Sequence, residues 1–201
     1  MWEIRRNEAL SRLEEHLRAG RVDQDIVDLL RLINSLNYAF TTSSCSGRIQ
    51  LYEAELPGSK FNMRTLGKWH RPISLEELKP LIRGENLWMA VLPPILHMSV
   101  KRGYEPRFLQ LLRNSGFKRA GIISVSEDEA IVEASGTERL EAPLIVRGVQ
   151  VYRDEALPLI VERANQLLLK SKDRLRRLKE VLSVEVARSL DNIGGKRAPE
   201  R

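Results

Sequence analysis

From Asp154 onward the chain carries one apolar stripe that only a long helix can align. Leu157, Val161, Ala164, Leu168, Leu175, Leu178 and Leu182 recur at spacings of three, four and seven, with Ser171 in the wider gap. That is a nearly heptad helical face. Such a face must brace a sheet or meet another helix, so the rest of the chain has to supply that surface.

The preceding sequence supplies both kinds of partner. Leu10, Leu13 and Leu17 share a face of a helix over residues 3–18, and Gly20 is its natural stop. Asp23 can cap a second helix whose buried stripe is Ile26, Leu29, Leu30, Ile33 and Leu36, which gives an N-terminal αα-hairpin. Two strand runs then flank the polar stretch Thr41-Thr42-Ser43-Ser44-Cys45-Ser46-Gly47-Arg48, read as an elbow in which Gly47 is best able to take a positive φ. Ser74-Leu75-Glu76-Glu77 is a capping box opening a short helix through about Leu81. Residues 87–92 form a short, continuously apolar strand that Pro93-Pro94 breaks.

Residues 95–101 alternate, with Leu96, Met98 and Val100 on a dry side and His97, Ser99 and Lys101 on a polar one. A helix starts near Pro106 and ends at Gly116. A hairpin over 119–134 turns at Ser126–Glu129, and a strand over 138–146 has an edge or bulge at Pro143. Irregular interleaving of this kind predicts an α+β fold: a mixed, largely antiparallel sheet packed with helices, the αα-hairpin before it and the long C-terminal helix after it. No G-x-G-x-x-G follows a strand, so a Rossmann nucleotide site is unsupported. Residues 1–190 read as a single domain and 191–201 as a disordered tail.

Composition narrows the function. A net charge of +6 with 24 Arg against 9 Lys points to a polyanionic partner, most naturally nucleic acid, although Arg-rich surfaces also occur in stable proteins from hot environments. No apolar run approaches the length of a membrane helix, and Met1–Arg6 has no apolar stretch behind it that would make a secretory signal. One cysteine excludes an internal disulfide and fits a reducing interior, so a cytoplasmic location is expected.

Cys45 and Arg48 have only Ser46 and Gly47 between them, too few backbone donors for a phosphatase loop. One Cys with three scattered His is a poor supply of zinc ligands, and no metal is expected. Cys45 therefore reads as a small, half-buried neighbour of binding residues, and His16 as a surface residue. Arg48, at the start of a strand beside the elbow, suits an anion. Trp69 among Lys68, His70 and Arg71 is either core or a stacking platform for an unpaired base. His97 is either a satisfied buried histidine or a cavity-facing one, and its polar strand-mates favour the second.

Four motifs occur in order: Thr42-Ser43-Ser44-Cys45-Ser46-Gly47-Arg48, Gly67-Lys68-Trp69-His70, Leu87-Trp88 with Pro93-Pro94-Ile95-Leu96-His97, and Ser115-Gly116-Phe117-Lys118. Together they resemble the tRNA wybutosine-synthesizing protein 3 family in its stand-alone archaeal form, from about residue 7 to 185. Leu140–Leu144 and Ala164-Asn165 also fit the family's C-terminal pattern. The resemblance implies an S-adenosylmethionine-dependent methyltransferase, unlike the Rossmann enzymes in fold. It would act on N(4) of the tricyclic guanosine at position 37 of tRNA(Phe), beside the anticodon. Where the family commonly has Arg a few residues after the Leu-His pair, this chain has Lys101 followed by Arg102; Lys101 keeps the charge but loses a bidentate fork.

On that reading Ser43, Ser44, Ser46, Gly47 and Arg48 hold the cofactor or substrate, Arg48 taking a carboxylate or phosphate. His97 is the preferred proton acceptor with His70 in reserve, and Lys68, Trp69, Lys101 and Arg102 contact the anticodon loop. Two rivals compete with it: a non-catalytic RNA-binding module and a hydrolase using Cys45. Oligomeric state is left open, as monomer or dimer.

Overall fold

The computed structural model describes residues 1–57 and 62–194, with side chains through Ala187. In chain order it contains α1 (Trp2–Arg18), α2 (Val27–Ser35), β1 (Ala39–Cys45), β2 (Arg48–Glu53), β3 (Arg64–Trp69), α3 (Leu75–Leu78), β4 (Leu87–Leu92) and β5 (Ile95–Lys101). There follow α4 (Glu105–Asn114), β6 (Gly121–Val125), β7 (Glu129–Ser135), β8 (Leu140–Val146), β9 (Val149–Gln150) and α5 (Ala156–Gly194). The chain divides into two compact units, each built from separated segments. The first comprises Met1–Cys45, Ile95–Ser135 and the chain from Arg174; the second comprises Ser46–Pro94 and Gly136–Asp173.

The first unit holds a sheet of order β1-β5-β7-β6, and the second a sheet of order β3-β2-β4-β8-β9, with every pairing antiparallel. The α+β class is as the sequence predicts, but there are two sheets rather than one. The two strands flanking the polar stretch do not pair with each other: β1 pairs with β5, and β2 lies between β3 and β4. The stretch is also less of an elbow than its composition suggests. Thr41–Cys45 belongs to β1, which leaves Ser46 and Gly47 as the connection. Gly47 has φ +84° and sits so close to the next connection that a Cβ there would lie 3.0 Å from Pro94 N. A residue in that conformation cannot continue a ladder, so the chain leaves one sheet at Gly47 and returns after Pro93-Pro94.

In the first unit the dry face of β5 carries Leu96, Met98 and Val100, all fully buried. They pack with Ile26, Leu29, Leu30 and Ile33 of α2, Phe108 and Leu112 of α4, and Leu175, Leu178 and Leu182 of α5. In the second unit Ile49, Leu51, Leu87, Met89 and Val91 pack with Leu157, Val161, Ala164 and Leu168 of α5. The stripe from Leu157 to Leu182 is thus a single helical face serving two cores, and buried Ser171, whose hydroxyl donates to Leu168 O, lies between the two sets. The helix continues into the expected tail as far as Gly194, and residues 195–201 of that tail lie outside the described residues.

Local expectations hold at the stops. Gly20 takes φ +64° after α1, and Arg21 N donates to His16 O across it. The Ser74–Glu77 capping box is present in both directions. Pro143 lies opposite Trp88 at a register shift, on a stretch of β8 that β9 does not cover. Asp23 precedes a 3-10 turn (Gln24–Ile26) rather than capping α2 with its side chain. The two N-terminal helices are tied by Arg6, whose guanidinium donates to Asn34 O at the end of α2.

Candidate active site

Each unit gathers a cluster of polar groups, and together the clusters contain both predicted histidines. In the first unit the antiparallel register places Ser43, His97 and Glu133 in one row across β1, β5 and β7. Residues directly opposite share a face, so the row lies on the side of the sheet away from Leu96 and Met98. His97 Nε2 stands 2.8 Å from a Glu133 oxygen. A carboxylate that accepts a hydrogen bond from Nε2–H fixes the neutral imidazole with its lone pair on Nδ1, so that nitrogen can accept a proton. The imidazole is partly exposed.

The same face continues through Ser99, whose hydroxyl accepts from Trp2 Nε1 at 3.2 Å and donates to Glu129 at 2.5 Å. Arg5 pairs with that carboxylate. α1 therefore covers the Ser99 end of the polar face. Lys101 Nζ lies 5.5 Å from the Trp2 ring centroid, and Arg102 pairs with Glu105 at 2.9 Å. Both remain exposed at the end of β5 away from His97.

In the second unit the buried Ser46 hydroxyl is the hub. Lys172 Nζ donates to it at 3.2 Å, and His70 Nδ1 lies 3.3 Å from it. With the ammonium as donor, the hydroxyl proton can point at the imidazole. Arg48 is not on that hub's side. It opens β2 on the face opposite Ile49, where Nε donates to Gln50 Oε1 at 3.0 Å and Gln50 in turn donates to Thr65 Oγ1 at 2.9 Å. Lys68 stands exposed across from Gln50. Trp69 faces the other way, half-buried against the core, with its ring over Gly67 so closely that a Cβ there would lie 2.0 Å from Cη2. Trp69 is thus packed against the core while part of its surface stays exposed. Asn165 accepts from Ile73 N and donates to Ile73 O, which fixes the segment that follows His70.

Sequence reasoning missed Glu133, Lys172 and Gln50. Glu133 was findable, because the alternation that puts His97 on the polar face of β5 also puts Glu129 and Glu133 on one face of β7; only the register was lacking. Lys172 carried no such signal, since a lysine beside the apolar stripe of a long helix reads as a solvated one.

A family model described as Methyltransferase TYW3 matches residues 4–184. This chain belongs to that family. Among curated TYW3 relatives, the "tRNA(Phe) 7-((3-amino-3-carboxypropyl)-4-demethylwyosine(37)-N(4))-methyltransferase 1" of Pyrococcus furiosus is 44% identical over 181 residues, 88% of this chain and 92% of the relative. A similarly named enzyme of Archaeoglobus fulgidus is 38% identical over 185 residues, 90% and 93% of the two chains. Among solved structures, the PH1069 protein from Pyrococcus horikoshii superposes with TM-score 0.86 at 42% identity, covering 90% of this chain and 95% of that one. The TYW3 match spans both units, and the four motifs fall on the elements that build the two polar clusters and their supports. Ser43–Arg48 ends β1 and opens β2, Gly67–His70 ends β3, Pro93–His97 leads into β5, and Ser115–Phe117 closes α4 on a fully buried Phe117.

Proposed function

We propose that this TYW3-family chain is a methyltransferase that methylates N(4) of 7-(3-amino-3-carboxypropyl)-4-demethylwyosine at position 37 of tRNA(Phe), with S-adenosylmethionine as donor. The observation that carries this reading is the family match over residues 4–184, together with curated relatives named for that reaction that align along 92–93% of their own length. Because both units are assembled from interleaved segments, residues 1–190 are taken to work as one catalytic domain. Among the described residues no helix is long and apolar enough to cross a membrane. We place the enzyme in the cytoplasm with its tRNA.

The donor set around Ser46 suits the cofactor. The partly exposed Lys172 ammonium, held beside the close-packed Gly47 by its hydrogen bond to Ser46, offers a charge-assisted hydrogen bond to the cofactor's carboxylate. S-adenosylmethionine, when bound, supplies a methyl group from its sulfonium for in-line displacement. The chain's own contribution is positioning and the removal of one proton. His97 Nδ1 accepts the proton leaving the substrate ring nitrogen, while Glu133 at Nε2 holds the tautomer and stabilises the imidazolium that forms. Arg48, braced by Gln50, and the exposed Lys68 are assigned to anionic groups of the substrate, and Lys101 and Arg102 to the surrounding anticodon loop.

The test incubates the protein with S-adenosylmethionine and tRNA(Phe) carrying the demethylated intermediate, followed by nucleoside mass spectrometry. A gain of one methyl group on the base supports the reading. RNA binding without methylation and without calorimetric S-adenosylmethionine binding would reduce the protein to an RNA-binding module.

A further inference from the structure

We infer that the groove between α1 and β1 in the first unit is a binding site for the phosphodiester backbone of the substrate RNA. The inference rests on the proposed function and deepens it by assigning a surface to the RNA strand. The groove is an open cavity of about 360 Å³ whose one wall is a single face of α1. That face carries Arg5, Glu8, Arg12 and His16, and Arg21 follows just past the helix end. The opposite wall is β1, presenting Thr42, Ser43 and Ser44 beyond the bulge at Thr42.

The charges in the groove are not equivalent. Arg5 is held by Glu129. Among the described residues Arg12, His16 and Arg21 take part in no hydrogen bond or ion pair through their side chains, and all three are exposed. Glu8 offsets one charge at the Arg5 end, so the positive field is strongest toward Arg12 and Arg21. Two unpaired guanidiniums facing the exposed Ser43 hydroxyl form a donor set for phosphate oxygens, with each planar fork matched to two of them at once. Residues four apart on α1 are separated by about 6 Å along the axis, comparable to the step between successive phosphates of a strand.

Small ligands are mostly enclosed by their sites, whereas an open groove with exposed cations on one wall and an exposed hydroxyl-bearing strand on the other suits a long polyanion. Ser43 links the groove to the chemistry, since it is in register with His97. A strand lying along α1 would deliver its next nucleotide toward the proton acceptor within the same unit.

The experiment compares the wild type with the double variant R12Q/R21Q for binding to tRNA(Phe) across a salt series. R31Q/R83Q, the same charge loss on residues outside the groove, is the control. Losing two phosphate contacts reduces the slope of log K against log salt by about 1.4, which is a weakening of about 25-fold near 0.1 M salt. Calorimetric S-adenosylmethionine affinity and melting temperature stay unchanged, because neither arginine has a structural partner. Three results overturn the inference: an unchanged tRNA affinity and slope, a loss equalled by the control pair, or a loss of S-adenosylmethionine affinity instead. A wild-type protein that neither binds nor methylates tRNA defeats the functional reading itself, and that result is read before any variant is made.

Discussion

Replacing Gly47 by alanine tests whether the connection between β1 and β2 is held by close packing or only by its backbone angle. At φ +84° an L-residue costs about 1–2 kcal/mol relative to glycine. The added methyl would also stand 3.0 Å from Pro94 N and 3.1 Å from Leu92 O and Pro94 Cδ. These are backbone or ring atoms that cannot rotate away, so overpacking adds about 1–3 kcal/mol. Gly20 provides the control. It has φ +64° but open space within 4 Å of where an alanine Cβ would stand, so G20A carries the angular cost alone.

For a chain of this size each kcal/mol moves Tm by about 2–4 °C, so G47A should melt roughly 5–15 °C below wild type and distinctly below G20A. Calorimetric unfolding measures the first effect. S-adenosylmethionine titration should also show weaker binding in G47A, because Ser46 and its hydrogen bond from Lys172 are displaced with the backbone. If G47A and G20A melt together, the close approach to Pro94 has no energetic meaning and the argument for a fixed connection fails.

Removing the imidazole in H97A should slow single-turnover methylation by about 10²–10⁴, and E133Q should fall between that variant and wild type; near-normal turnover in H97A would strip the residue of its role. K172A removes a charge-assisted hydrogen bond to Ser46 and should weaken S-adenosylmethionine binding roughly 10–100-fold by calorimetry, with tRNA affinity little changed. S74A deletes the α3 cap and should cost about 1 kcal/mol in urea unfolding. The same cap gives a pH signature. The hydrogen bond from Arg71, and then that from Ser74 N, hold the Glu77 carboxyl down to about 2 against an ordinary 4.5. Its stabilisation is therefore complete above pH 4.5 and is lost as the pH falls toward 2, so the melting temperatures of wild type and E77Q should converge over that interval.

Much of the molecule was readable before folding because it is written in local periodicity. The stripe from Leu157 to Leu182, the alternation from Ile95 to Lys101, the capping box at Ser74 and the stops at Gly20 and Pro93 each state their own conformation through side-chain spacing or backbone limits. The four motifs likewise marked the family in the linear order of residues. What that order could not supply is which strands become neighbours. Periodicity places His97 on a polar face, but only the pairing of β5 with β7 puts Glu133 against it, and only the pairing with β1 puts Ser43 beside it. Nor could it show that β1 and β2 part at Gly47 into separate sheets, so that Ser46 meets Lys172 from 126 residues away while Arg48 turns to the other face with Gln50. Local conformation follows from interactions a few residues long, whereas register and sheet membership are decided by contacts between distant segments, and the proposed site rests on those contacts.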